Sequence, residues 1–112
     1  MARRRAAKVD SNQTEIVEYF RSQGCSVAIT SGAGDGFPDL VVGVPPPIGL
    51  PVLGINLLVE VKDGEKPPSA RKLTVDQEKF HGDWRGQIAV IESIEQAAEL
   101  LELLRKSYAR PD

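Results

Sequence analysis

The 112-residue chain has one cysteine, one histidine, one methionine and one tryptophan. A lone Cys25 excludes an internal disulfide framework and fits a reducing cytosol, so a cytoplasmic, intracellular protein is expected. One Cys with one His, His81, leaves no ligand set for structural zinc. No apolar run approaches the length of a membrane span, and the stretch after Val41 is broken by prolines. The opening residues Met1 to Lys8 are basic and lack the apolar centre of a signal peptide. No Gly-Lys-Ser/Thr follows the glycine-rich segment Ser31 to Gly36, which excludes a phosphate-binding P-loop.

An excess of positive charge is also missing. Fourteen Lys and Arg against sixteen Asp and Glu give −2, which argues mildly against nucleic acid until the distribution is read. Arg3, Arg4, Arg5 and Lys8 concentrate positive charge at the N-terminus. Lys62, Lys66, Arg71 and Lys72 form a second group, set against Asp63 and Glu65, while Glu92, Glu95, Glu99 and Glu102 collect near the C-terminus. One basic and one acidic face would suffice for phosphate contact. Arg3 to Arg5 can equally be a solvated tail.

The length fits one domain with a modest core. A basic flexible arm over 1–9, a folded unit over 10–108 and a short tail over 109–112 are expected. Two short β-branched runs dominate the middle: Asp39-Leu40-Val41-Val42-Gly43-Val44 and Ile55-Asn56-Leu57-Leu58-Val59-Glu60-Val61-Lys62. Between them lie Pro45-Pro46-Pro47, Gly49, Pro51 and Gly54, so the pair reads as an antiparallel hairpin. If Val44 faces Ile55, Asp39 falls opposite Glu60, and Glu60 and Lys62 share a face because strand side chains alternate. Two carboxylates and an ammonium then meet at one strand end. A divalent metal is one reason for such a cluster, since Mg²⁺ or Mn²⁺ takes carboxylate oxygens with water and substrate phosphate. An ordinary strand-end salt bridge is the other.

The order Pro38-Asp39, a short interval, then Glu60-Val61-Lys62 resembles the PD-(D/E)XK motif of metal-dependent nucleases. More of the chain, from about Asp10 to Leu101, is similar to the VRR-NUC branch and its small stand-alone phage relatives. The likeness includes Asn12-Gln13 with Ile16-Val17, Gly24, the Ser31 to Gly36 loop, Leu73-Thr74-Val75-Asp76-Gln77 and Gly86. The resemblance implies Asp39, Glu60 and the Val61 carbonyl as metal ligands, Lys62 as the catalytic ammonium and Gln77 near the scissile phosphate. The superfamily's first-helix site residue is often Glu; here Gln13 falls at its position, where its amide would hold a metal-bound water or satisfy a buried backbone group. Asp10 and Glu15 are the other first-helix candidates.

In chain order, a first helix capped by Asp10 or Ser11 should run to Gln23, with Ile16, Val17, Phe20 and Gln13 facing inward and Gly24 ending it. Cys25 to Thr30 should be a strand. The glycines of Ser31 to Gly36 serve either close approach to DNA or positive φ. Asp63 to Lys72 should be an exposed loop whose Lys66, Arg71 and Lys72 contact phosphate. Thr74 should cap a helix to Asp83, with Gln77 in its second turn, and Phe80 and Trp84, i and i+4, should pack on the sheet in preference to stacking on bases. His81 is a possible general base or an unremarkable helical residue. Gln87 to Ile91 should be a buried strand, and Ser93 should cap a last helix. There the surplus of Leu100 and Leu103 serves a dimer interface or covers a broad sheet.

The expected fold is therefore α/β, a restriction-endonuclease-like α-β-β-β-α-β-α core with a mixed sheet of about four strands. The expected function is a Mg²⁺- or Mn²⁺-dependent DNA endonuclease, structure-selective in the manner of a Holliday junction resolvase, acting as a homodimer on branched DNA and without membrane association. The alternatives are a non-catalytic DNA-binding or assembly subunit on the same fold, or an unrelated small α/β domain that binds a protein through its last helix.

Overall fold

A computed structural model describes residues 10–108; Arg3, Arg4 and Arg5, the 1–9 arm and the 109–112 tail lie outside the described residues. Seven main elements follow one another: α1 (Gln13–Ser22), β1 (Ser26–Ile29), β2 (Leu40–Val44), β3 (Ile55–Val61), α2 (Val75–Asp83), β4 (Ile88–Ile91) and α3 (Ile94–Tyr108), with a 3-10 turn at Pro68–Ala70 before α2. The order is the α-β-β-β-α-β-α expected from the sequence. The fold is α/β, with a mixed four-stranded sheet in the order β1-β2-β3-β4. β1, β2 and β3 pair antiparallel, and β4 joins β3 in parallel through a crossover containing α2.

The β2–β3 pair adopts the expected register, Val44 opposite Ile55 and Leu40 opposite Val59. Strand alternation then divides the two faces. Leu40, Val42, Val44, Leu57, Val59, Val61 and Ile91 are buried and join Ile16, Val17 and Phe20 of α1 and Ala97 and Leu101 of α3 in one core. The stripe of α1 recurs at helical spacing, which is why it can close on the sheet. The opposite face carries Leu58 and Glu60, and extending the register by one residue brings Asp39 opposite Glu60. The pleat thus separates the apolar core from the charged group.

Several local expectations change. Helix α1 begins at Gln13 with Asn12 at the N-cap, not Asp10 or Ser11. The Asp10 and Ser11 side chains instead reach Lys66 and Asp63. At the other end Gly24 has φ of +85°, the left-handed ending that glycine permits. The 63–72 connector is not wholly exposed, since Asp63 is buried. β4 is a sheet edge and not a buried strand: it has one neighbour, Ile91 alone is fully buried, and Val90 is 39% exposed. Among the described residues no helix is long and apolar enough to cross a membrane.

The glycine-rich loop is fixed by packing against α2. Gly36 has φ of +79°, and a Cβ there would collide with the backbone carbonyl of Asp76. Gly36→Ala is therefore expected to destabilise the protein by about 2 kcal/mol or more, through strained φ and backbone overlap together. The urea midpoint measures this. A change below about 0.5 kcal/mol would mean that the loop is not held against α2 in this way.

Candidate active site

Pro38 and Asp39 enter β2 under close control. The Thr30 N–H donates to the Asp39 carbonyl at 2.7 Å, and Thr30 Oγ1 donates to the Pro38 carbonyl at 2.8 Å. The Asp39 side chain turns to the next strand, where Oδ2 accepts from the Val61 N–H at 2.8 Å. Glu60 Oε2 accepts from Gln77 Nε2 at 3.0 Å and lies 3.6 Å from Lys62 Nζ. Lys62 Nζ in turn donates to Gln77 Oε1 at 2.9 Å. Glu60 on β3, Lys62 just past its end and Gln77 on α2 thus close a ring of polar contacts. Glu60 is 2% exposed and Lys62 8%, so this is a buried charge group and not the exposed strand-end pair that was the plainer expectation.

Gln77 belongs to the first turn of α2, not its second. It is the N3 residue of a capping box: Thr74 Oγ1 accepts from the Gln77 N–H at 3.2 Å, and Gln77 Oε1 accepts from the Thr74 N–H at 2.9 Å. The same Oε1 takes the Lys62 ammonium. One amide therefore terminates a helix and orients two site residues. The Thr-x-x-Gln spacing signals the box in the sequence, and the expectation above used only its threonine.

Burial pushes both carboxyls upward. Glu60 is raised to about 8, by desolvation first and then by the Asp39 charge beside it, with Lys62 opposing. Asp39 is also raised, by burial above all, while the Val61 N–H and Lys62 counteract. Both shifts favour the singly protonated pair over two adjacent charges.

The other anticipated residues fall out as follows. Val61 meets Asp39 through its N–H. Gln13 is buried on the inward stripe, and its Nε2 donates to Ser31 Oγ at 3.1 Å, tying α1 to the glycine loop. Glu15 is exposed, whereas the Asp10 charge is felt at Asp39. Lys66 pairs with Asp10 at 3.0 Å, and Arg71 donates to the Lys66 carbonyl at 2.8 Å and to Glu92 at 3.2 Å, so both cations are engaged within the chain. Lys72 is exposed. His81 is half-buried, its Nε2 lacks a partner among the described residues, and burial, then the Lys62 charge, holds its pKa below the usual imidazole value. Phe80 and Trp84 stack on each other with Phe37 at their edge.

Asn12 was not anticipated as a site support. Its Nδ2 donates to the Lys62 carbonyl at 3.1 Å and the Glu92 carbonyl at 3.0 Å, clipping the ends of β3 and β4 together directly behind Lys62. With Ser11 Oγ donating to Asp63 and Asp10 pairing with Lys66, three consecutive residues fasten the 62–66 segment. No local pattern advertises contacts spanning 50 and 80 positions.

A divalent cation suits part of this donor set. Among the described residues no three His, Cys, Asp or Glu side chains converge, so protein carboxylates would supply two ligands. That is the usual share for Mg²⁺, whose shell is completed by water and substrate phosphate. Glu60 and Asp39 face each other as a hydrogen-bonded carboxyl pair, and a cation between them would take the place of the shared proton. No protein-family model, no curated protein and no solved structure matches the chain.

Proposed function

We propose that the chain is a divalent-metal-dependent DNA endonuclease with a restriction-endonuclease-like core, of the VRR-NUC kind within the PD-(D/E)XK nucleases. The single observation that carries this reading is the buried Glu60–Lys62–Gln77 ring beside Asp39. It keeps two adjoining carboxyl groups against an oriented ammonium. Burying such a group is costly, and a fold held only by ion pairing gains little from it.

In this reading Asp39 and Glu60 would hold Mg²⁺ or Mn²⁺, with the Val61 carbonyl as a further ligand. The bound cation would supply Lewis-acid activation of water and neutralise phosphoryl charge. The Val61 N–H fixes the rotamer of Asp39. Glu60 would bind the cation only as the carboxylate, its proton released to solvent. Lys62, steered by Gln77 Oε1, orients the attacking water or stabilises negative charge on the phosphoryl oxygens. Gln77 Nε2 sets the plane of the Glu60 carboxylate, and Gln13 braces the loop that carries the chain into Asp39. Lys72, with Lys66 and Arg71 once released from their partners, would contact the backbone.

The preferred substrate is branched DNA, and the working form a homodimer, because two symmetric cuts in a four-way junction need a two-fold axis. Labelled linear duplex, flap and four-way junction, each offered with Mg²⁺ or Mn²⁺, test this. Paired symmetric nicks in the junction are expected. Equal cutting of all three substrates would retain the nuclease and discard the resolvase.

A further inference from the structure

The aromatic ladder at the C-terminal end of α2 has no part in the chemistry above. Phe80 on α2 and Trp84 at its C-cap stack with centroids 5.3 Å apart and planes inclined 14°. Phe37 meets Phe80 edge-on at 5.2 Å and 70°. The indole, the larger ring, is the exposed member at 42%. Phe80 and Trp84 border a cavity of about 320 Å³ with Asp35, Asp76, Lys79 and Asp83 around it. The cavity is continuous in sequence with the site: its lining residue Asp35 stands four residues before Asp39, and Asp76 and Phe80 flank Gln77 on α2. The packing of Gly36 on Asp76 fixes one wall against the other.

We propose that this cavity receives one unpaired nucleobase of the strand being cut, stacked on the Phe80–Trp84 ladder. The proposal rests on the nuclease reading and supplies a reason for its preference for branched DNA. A flat base fits an aromatic wall, and stacking tolerates any base because each has a π face. Asp83 is offset by Lys79 at 2.9 Å, which leaves Asp35 and Asp76. Carboxylates only accept, so they meet the exocyclic amino groups of adenine, cytosine and guanine. The acidic rim repels phosphate, and the strand backbone is left to the Lys62 side. A base still paired in a duplex cannot enter without first being unstacked.

Trp84 is the sole tryptophan, so its emission reports on this cavity alone. Metal-free protein in EDTA is titrated with a short mixed-sequence single strand and with its blunt duplex. Strong quenching by the single strand and little by the duplex is expected. Trp84→Ala, shown to be folded, should weaken single-strand binding about tenfold, as the loss of one stacked base implies. Trp84→Phe, which keeps a ring, should stay within about threefold of wild type. Equal quenching by the duplex, or unchanged binding by Trp84→Ala, would overturn the proposal. So would quenching by an arginine-rich peptide and not by the oligonucleotide, which would assign the cavity to a cationic partner. The two readings fail separately. Quenching without any metal-dependent cleavage by wild type removes the nuclease and keeps the base site; cleavage without quenching does the reverse.

Discussion

Glu60→Gln is expected to lower metal-dependent cleavage by about a thousandfold or more, while leaving the metal-free protein folded and, at alkaline pH, more stable than wild type. The activity loss follows from removing one of the two proposed anionic ligands, whose contribution to charge stabilisation would be several kcal/mol. The stability effect follows from burial. Glu60 is 2% exposed and its carboxyl is held up to about 8. Its unfolded value is about 4.3. Between these two values the folded state binds a proton that the unfolded state has released. Its stabilising contribution is therefore full below about pH 4.3 and is lost as pH rises through about 8, at up to about 1.4 kcal/mol per pH unit. The whole effect is on the order of a few kcal/mol. Asp39, raised as well, acts in the same direction. His81, held low by burial, acts in the opposite one, but its contribution is common to both proteins and cancels in the difference. A glutamine matches the shape of the protonated acid and cannot ionise. Urea unfolding of the two proteins at pH 5 and pH 9 should give similar values at pH 5 and a clear gap in favour of the variant at pH 9. A parallel pair of curves would mean that Glu60 is not buried beside a second carboxylate.

The second large effect belongs to Gln77, and there two losses can be separated. Gln77→Ala removes the Thr74 cap contact and leaves both Lys62 and Glu60 without their amide partner. A stability cost of about 1–2 kcal/mol is expected from the broken box. Cleavage should drop by about a hundredfold, because the ammonium loses its orienting acceptor, and positioned electrostatic groups commonly contribute that much. Gln77→Glu keeps an N3 acceptor and restores the box. It cannot donate to Glu60, and it brings a third carboxyl into a site where two already compete for a proton. Stability should recover in this variant while cleavage stays low. Thermal melts beside single-turnover rates provide the check; recovery of both together would reduce Gln77 to a helix cap.

How much of this was legible depended on the range of the interactions. The hairpin register was readable because period-two alternation and a proline-rich connector leave few ways to pair Val44 with Ile55, and that register brings Asp39 to Glu60. The inward position of Gln13 followed from helical spacing. The edge position of β4 did not, since a five-residue apolar run says nothing about how many strands flank it. The pairing of Lys66 with Asp10 and Arg71 with Glu92 was equally hidden: a charge-rich segment reads as exposed until tertiary packing supplies partners. Asn12 looked like a residue of the first helix, and its contribution lies in a two-carbonyl clip between strands that only the folded topology brings within reach. Gln77 was singled out for its place after Lys62, yet what joins cap and site in one amide is the meeting of the first turn of α2 with the end of β3, which only the fold brings about.

The most direct test of the central claim is cleavage of a labelled four-way junction by wild type and Lys62→Ala, each with Mg²⁺, with Mn²⁺ and with EDTA, the variant's fold verified by circular dichroism. Strand scission by wild type that needs the metal and is lost in the variant, with junction binding retained, is the predicted result. Metal-independent binding with no scission by wild type under any of these conditions would contradict it, and would leave the Asp39, Glu60, Lys62 and Gln77 cluster as a buried structural group.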